Sequence, residues 1–135
     1  MENITIKNSF VVSSSTSLAD RVVDDANVVC FDVKTATNPI KRRVALTKIT
    51  KQINKNTALF LLGKTGNPKQ RIKKYPPTSI MFLLAKSPNE NIINQLEAHY
   101  NNKYLGTPLN VNKKGGSAGK MTKSKCYYLY QKIEV

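Results

Sequence analysis

The chain has few cysteines, few acidic residues and no long apolar run, and each shortage excludes a class of protein. Its two cysteines, Cys30 and Cys126, lie far apart without metal-ligand spacing, so we expect buried free thiols in a reducing compartment. No apolar stretch approaches the roughly 20 residues of a membrane helix. The first ten residues also lack the basic and then apolar layout of a signal peptide. The sequence therefore predicts an intracellular protein, or one packaged in a virion, and not a secreted or membrane protein.

Basic side chains greatly outnumber the acidic ones. Lys and Arg total 22 against 8 Asp and Glu, which gives a formal net charge of +14. Residues 1–32 hold five acidic and two basic side chains, a net −3, so residues 33–135 carry +17. A charge of this size exceeds what solubility requires, and it predicts a polyanionic partner for the basic part.

The length of 135 residues suits one hydrophobic core. A serine-rich run at 13–17 and a turn signal at 37–39 interrupt short β-rich segments, including one at Val28–Val33. We therefore divide the chain into an N-terminal extension, residues 1–40, and a basic domain, residues 41–135. The extension is expected to pack on the domain or on a protein partner.

The segment Leu59–Tyr75 predicts a buried strand, a glycine turn and a basic helix in succession. The apolar run at 59–62 favours a strand covered on both faces, and Gly63 ends it where the backbone needs a positive φ or close approach. Asn67 is the predicted N-cap and Pro68 the first helical residue. The helix then carries Lys69, Arg71, Lys73 and Lys74. Cations and free amides at one edge of a sheet suit a phosphate backbone.

The C-terminal half continues with recognisable signals. After the helix stop at Pro76 and Pro77 we expect a strand at Ile80–Ala85. A capping box then places Ser87 at the N-cap of a helix, with Pro88 and Glu90 in its first turn. The apolar stripe of this helix comprises Ile92, Ile93, Leu96, His99 and Tyr100, and Gly106 is its predicted stop. A tyrosine-rich strand, Cys126–Ile133, should close the sheet.

Glu97 lies at the border of that apolar stripe, where a carboxylate requires a cation. The cation is either a metal ion or a basic side chain, Arg71 or a lysine of the preceding helix, in which case the pair is structural. His99, a lone histidine on an apolar face, is interpreted as packed and not as a ligand.

A basic glycine-rich loop follows at 113–120. It fails as a nucleotide phosphate loop, because Lys114 stands where the pattern needs its first glycine and Met121 stands where it needs Ser or Thr. The loop is better suited to lie along a sugar-phosphate chain.

The order of these segments over about residues 42–133 resembles the GIY-YIG nuclease domain in its short phage and large-DNA-virus versions. Phe60–Thr65 looks like the YIG segment, with Leu61 and Leu62 in the Tyr and Ile places. Arg71 falls at the position of the family's catalytic arginine and Glu97 at that of its metal-binding glutamate. Asn112, Gly115 and Gly116 resemble its N-x-x-G-G loop. The resemblance implies an α/β (α+β) fold, a small mixed central sheet flanked by helices.

The resemblance also bears on an ambiguous segment and on activity. Residues 44–50 fit either a helix, through Leu46, Ile49 and Ile53, or a strand. The first signature tripeptide would be Val44–Leu46, which favours the strand. Leu46 and Leu61 then replace both signature tyrosines, and leucine cannot position a water or relay its proton. That loss costs roughly 10²–10⁴ in rate, so the implied site is catalytically degenerate unless Tyr75 or Tyr100 supplies a hydroxyl.

Three functions follow as hypotheses. The first is a nucleic-acid-binding protein, for DNA rather than RNA, which needs no cofactor and uses Lys64, Lys69, Arg71, Lys73, Lys74, Asn112, Lys113, Lys114 and Lys120. The second is a Mg²⁺-dependent endonuclease with Arg71, Glu97 and Tyr75 as catalytic residues and Glu97 on the metal. The third is a structural basic protein of a virion or nucleoprotein assembly, whose residues 1–40 contact protein partners.

Overall fold

The computed structural model describes residues 21–111 and 121–134, and these form a mixed α/β fold as predicted. The strands are β1 (Val22–Val23), β2 (Val29–Cys30), β3 (Phe60–Thr65), β4 (Ser79–Ser87) and β5 (Tyr127–Glu134). The helices are α1 (Val33–Thr37), α2 (Pro39–Lys55), α3 (Pro68–Ile72) and α4 (Glu90–Lys103). Within these ranges no helix is long and apolar enough to cross a membrane.

The last strand of the chain lies inside the sheet. The strand order is β1-β4-β5-β3, and β2 pairs with β4 further along the same edge as β1. Strand β5 is antiparallel to both of its neighbours, β3 and β4. The strand predicted at Cys126–Ile133 therefore exists, but it does not close the sheet. Its side chains are buried on both faces, because apolar clusters cover both sides of the sheet.

Two apolar clusters lie on opposite faces of this sheet. The larger one lies beneath α2 and α4 and includes Ile49, Ile53, Leu96 and Tyr100. The smaller one lies beneath α3 and comprises Ile72, Met81, Leu83 and Tyr130. Strand β5 contributes to both clusters because successive side chains of a strand alternate between its faces.

Residues 39–55 form a helix, so the strand predicted from Val44 is wrong. The Asn38 side chain accepts hydrogen bonds from the backbone N–H groups of Ile40 and Lys41, and Pro39 occupies the first turn. Ala45, Ile49 and Ile53, spaced four residues apart, are buried against the sheet. Leu46 therefore lies in α2, and its carbonyl accepts a hydrogen bond of 2.8 Å from the Tyr100 hydroxyl.

Helix α4 and the basic helix differ from their predicted bounds. Asn89, and not Ser87, is the N-cap of α4, because Ser87 is the last residue of β4 and pairs with Tyr127. The Ser87 hydroxyl instead accepts from the Asn89 N–H at 3.1 Å. His99 is exposed at the border of the predicted stripe, with its ring edge-on to Tyr100. Helix α3 begins as predicted, with Asn67 as N-cap, but it ends at Ile72.

Further expectations also need correction. Neither thiol is buried, since Cys30 is exposed and Cys126 is half-buried, although both are free. Strand β3 continues through Gly63 to Thr65, whereas Leu59 lies outside it and is 60% exposed. The β-rich segment at 28–33 forms a strand only at its centre, because Asp32 is the N-cap of α1.

The part of the predicted extension that the structure describes is integrated in the sheet. Strands β1 and β2 both pair with β4, and Phe31 is buried in the larger cluster. Arg21 is also buried, and its guanidinium donates to the carbonyls of Ser79 at 3.0 Å and Pro76 at 2.6 Å. The β-rich segment that precedes the serine run, the serine run itself and the basic loop at 113–120 lie outside the described residues.

A buried amide connects the central strand to the end of α2. Gln131, which has no exposed surface, donates from Nε2 to the Ile53 carbonyl at 3.1 Å. Its Oε1 accepts from Asn56 Nδ2 at 2.8 Å. These bonds satisfy polar groups at a helix terminus that burial has removed from water.

We expect the Gln131→Leu substitution to lower the free energy of unfolding by about 1–3 kcal/mol, because the buried Asn56 amide loses its acceptor. The exposed Gln95→Leu substitution on α4 is the matched control and should change it by less than about 0.5 kcal/mol. Urea denaturation measures both values. Equal losses in the two variants would show that the Gln131 hydrogen bonds contribute nothing.

Candidate functional site

A pocket of about 430 Å³ lies at the C-terminal end of β3 and gathers residues from several segments of the chain. Arg71 and Tyr75 come from α3 and the turn after it, Glu97 from α4, and Tyr130 from β5. The three residues predicted as catalytic, Arg71, Glu97 and Tyr75, therefore line one pocket. Tyr130 was not predicted. We call this site the β3 pocket.

Gly63 admits the Tyr130 ring to this pocket. The two residues are directly paired between β3 and β5. A Cβ atom on Gly63 would lie 2.5 Å from both Cζ and Oη of Tyr130, far inside van der Waals contact. The glycine is required for close approach, one of the two reasons that the sequence suggested, and not for a positive φ.

The Tyr130 hydroxyl is the centre of a small polar cluster. It lies 2.7 Å from the Tyr75 hydroxyl, and either oxygen can be the donor. Arg71 donates from Nη1 to the same oxygen at 3.4 Å, a long hydrogen bond. Lys132 lies over the Tyr75 ring, with Nζ 4.8 Å from the ring centroid. One guanidinium and two phenols are thus held together at the pocket wall.

Burial is the main cause that raises the pKa of Tyr130 far above its ordinary value. The neighbouring Tyr75 raises this pKa further, and Arg71 acts in the opposite direction without cancelling the increase. Tyr130 is therefore a neutral phenol at physiological pH. It can accept from Arg71 and donate to Tyr75, whose half-buried hydroxyl is the one of the pair nearer to solvent.

A second polar group lies on the other face of β3. Lys64 Nζ is 3.5 Å from Glu97 Oε1, and their side chains are only 7% and 5% exposed. Lys64 also donates to Asn94 Oδ1 at 2.8 Å. Glu97 has the cationic neighbour that its position required, but the cation comes from β3 and not from the basic helix. Because β3 is the outer strand, the β3 pocket reaches both of its faces.

The other predicted site residues lie in different places, and only some of them line the β3 pocket. Lys64 and Lys74 line the β3 pocket, whereas Lys69 lines an adjacent cavity and Lys73 is exposed at the end of α3. Tyr100 bonds to α2 within the larger cluster and lines no part of the β3 pocket. The binding residues predicted in the glycine-rich loop lie outside the described residues: Asn112, Lys113, Lys114 and Lys120.

Tyr130 predicts a measurable pH dependence of stability. In the folded chain it keeps its proton at a pH where tyrosine in the unfolded chain, with a pKa near 10, has lost it. Its contribution is therefore fully present below about pH 10 and is lost as the pH rises further. We expect Tyr130→Phe, which cannot ionise, to flatten the fall in unfolding free energy between about pH 9 and pH 11.

Urea denaturation at several pH values within this window measures the effect. Tyr104→Phe is the comparison variant, because burial also raises the pKa of Tyr104 but this phenol is only half-buried. It should flatten the profile less. An unchanged slope in Tyr130→Phe would mean that Tyr130 ionises as readily in the folded chain as in the unfolded one.

Comparisons with known proteins identify no relative of this chain. No protein-family model matches it, and no curated protein or solved structure is detectably similar to it. What the β3 pocket does must therefore be inferred from its own side chains.

Proposed function

We propose that this protein binds nucleic acid by its sugar-phosphate backbone at the β3 pocket, and DNA in preference to RNA. The observation that supports the proposal is that Lys64, Arg71, Lys74 and the Tyr75 hydroxyl line one pocket, whose described lining includes a single carboxylate, Glu97. Lys64 already neutralises Glu97, so the net charge of the pocket lining is positive. Phosphate oxygens are the natural partners of such a set of donors.

Arg71 is the residue best placed to contact a phosphate. It is half-buried, and its bond to Tyr130 holds the guanidinium at the pocket wall. A planar guanidinium can donate two parallel hydrogen bonds to one phosphate, which a lysine cannot do. The half-buried Tyr75 places a neutral hydroxyl beside it. Lys69 and Lys73 on the adjacent surface extend the positive field beyond the pocket.

The overall charge favours a polymer over a small phosphate ligand. The formal +14 of the chain is far more than one phosphate group can neutralise. Backbone contacts release counterions, so affinity falls with rising salt at a slope of about 0.9 per neutralised phosphate on duplex DNA.

Removal of the Arg71 charge should weaken duplex binding and reduce this salt slope by about 1. Lys103→Gln is the matched control, since it removes one positive charge from an exposed position of α4 outside the pocket lining. Fluorescence anisotropy from about 50 to 200 mM salt measures the wild type, Arg71→Gln and Lys103→Gln. Salt-insensitive binding by the wild type would exclude a backbone mechanism.

A second candidate function, phosphodiester cleavage, is favoured by the position of Tyr130. The inference of a degenerate site rested partly on Leu46, but Leu46 lies in α2. The phenol beside Arg71 comes instead from β5. Leu61 does line the pocket and contributes no hydroxyl. Of the two expected replacements of a signature tyrosine by leucine, only the one at Leu61 therefore lies in the pocket.

The metal-ligating side chains of the pocket fit a Mg²⁺ ion only if the ion keeps most of its coordinated waters. The described residues contain no group of three His, Cys, Asp or Glu side chains that could hold a metal ion. A Mg²⁺ ion that keeps several waters needs only one or two carboxylates plus substrate phosphate oxygens, and Glu97 would be the carboxylate. Bound there, the ion would supply charge stabilisation at the phosphate. Arg71 would bind the scissile phosphate, and Tyr75, held by its hydrogen bond to Tyr130, would orient a water.

Nicking of supercoiled plasmid in the presence of Mg²⁺ or Mn²⁺ tests this candidate. On the cleavage hypothesis the wild type nicks the plasmid, and Glu97→Gln lowers the rate at least about 100-fold because the metal carboxylate is lost. The exposed Glu134→Gln variant is the control and should keep the wild-type rate. Equal nicking by Glu97→Gln would assign the activity to a contaminant. If the wild type does not nick the plasmid, nucleic acid binding is left as the proposed function.

A further inference from the structure

Helix α2 carries a concentration of positive charge that the β3 pocket does not use. Its 17 residues include no aspartate or glutamate, and six of its side chains are basic and exposed: Lys41, Arg42, Arg43, Lys48, Lys51 and Lys55. The ion pairs found among the described residues, Lys64 with Glu97 and Lys132 with Glu134, involve none of the six.

The positions of these charges lower the stability of the isolated helix. Lys41, Arg42 and Arg43 lie in or next to the first turn, where the helix dipole disfavours cations. Lys48, Lys51 and Lys55 are spaced three and four residues apart, so like charges are neighbours on the helix surface. An anion that binds along the helix would reduce both the repulsion between these like charges and their unfavourable interaction with the helix dipole.

Four of the lysines line a groove of about 650 Å³ between α2 and residues 26–30. Lys41, Lys48 and Lys55 recur every seven residues, so they lie almost in line along the helix at steps of about 10 Å. Lys51 lies beside this line, and none of the described residues that line the groove is acidic. We call these four residues the α2 lysine row. Regularly spaced cations match the repeating charge of a nucleic acid backbone.

The α2 lysine row and the β3 pocket lie at opposite edges of the sheet. The groove borders β2, which pairs with the outer edge of β4, whereas the pocket borders β3. Strands β4 and β5 separate the two. One nucleic acid segment bound along the row therefore leaves the pocket accessible to a second segment.

We propose that the α2 lysine row is a second backbone-binding site and that one protein molecule bridges two segments of double-stranded DNA. This inference rests on the proposed function, because it assigns the first segment to the β3 pocket. A duplex fits better than a single strand, since the groove lining within residues 21–111 and 121–134 includes no aromatic side chain to stack on unpaired bases. The bridging of segments is an architectural activity, suited to the compaction of nucleic acid in a particle.

A two-duplex capture assay tests the proposal. One biotinylated duplex is fixed on beads, the protein is added, and capture of a second, fluorescent duplex is measured. Three variants each lose two positive charges: Lys48→Gln/Lys55→Gln in the row, Arg71→Gln/Lys74→Gln in the pocket, and Lys103→Gln/Lys123→Gln as the control. Both control residues are exposed and line neither site. Circular dichroism establishes that each variant is folded.

The wild type and the control variant should capture the second duplex to the same extent. The row variant and the pocket variant should each bind a single duplex yet lose at least about tenfold in capture, and loss of two phosphate contacts should lower the salt slope by about 1.8. Capture by the row variant equal to that of the wild type would overturn the proposal, whatever the oligomeric state.

Two other outcomes separate the proposal from its alternatives. If the wild type binds one duplex but captures no second one, bridging is wrong and the proposed function stands. If it binds no duplex at all, both are wrong. Polyglutamate replaces the second duplex in a parallel arm, and its capture by the wild type, lost in the row variant, without capture of DNA would assign the groove to an acidic protein segment.

Discussion

The close contact between Gly63 and Tyr130 organises both the smaller core and the β3 pocket. Because Gly63 has no side chain, the aromatic ring of the central strand can lie over β3, where a Cβ atom would be 2.5 Å away. The same ring packs with Ile72 and Met81 and so seats α3 on the sheet. Its hydroxyl meets Arg71 and Tyr75, which come from α3 and the turn after it. The absence of a side chain at Gly63 therefore determines where α3 lies on the sheet and how Arg71 and Tyr75 are oriented.

The buried ion pair on the other face of β3, Lys64 with Glu97, is not explained by a gain in stability. A buried ion pair such as Lys64 and Glu97 gains little net stability, because desolvation offsets most of the attraction. Removal of one partner is nevertheless costly, since it leaves an unpaired charge in the interior. Apolar residues of similar size would stabilise the fold at least as well. The presence of the pair beside a cationic pocket is therefore better explained by the chemistry of the pocket than by folding.

Local signals in the sequence predicted much of the fold and some of the residues that line the β3 pocket. The Asn67-Pro68 start of α3, the strand around 80–85 and the final strand are each specified by short segments, and the structure contains them. Arg71, Tyr75 and Glu97, which the sequence assigned to one site, all line the β3 pocket. Tyr130 was missed because its position depends on the register between β3 and β5, which are separated by more than 60 residues. No local pattern encodes that register.

The error at α2 has a different origin. Its capping signal, Asn38-Pro39, and its buried residues Ala45, Ile49 and Ile53 are ordinary helix signals, but a family resemblance outweighed them. With only three fully buried positions in 17 residues, the helix is held mainly by that narrow stripe while six cations repel one another on its surface. A ligand that binds the folded state stabilises it in proportion to the logarithm of its concentration over Kd. On the proposed function, DNA would therefore remove the repulsion that destabilises α2, and the protein would be most stable when it is bound.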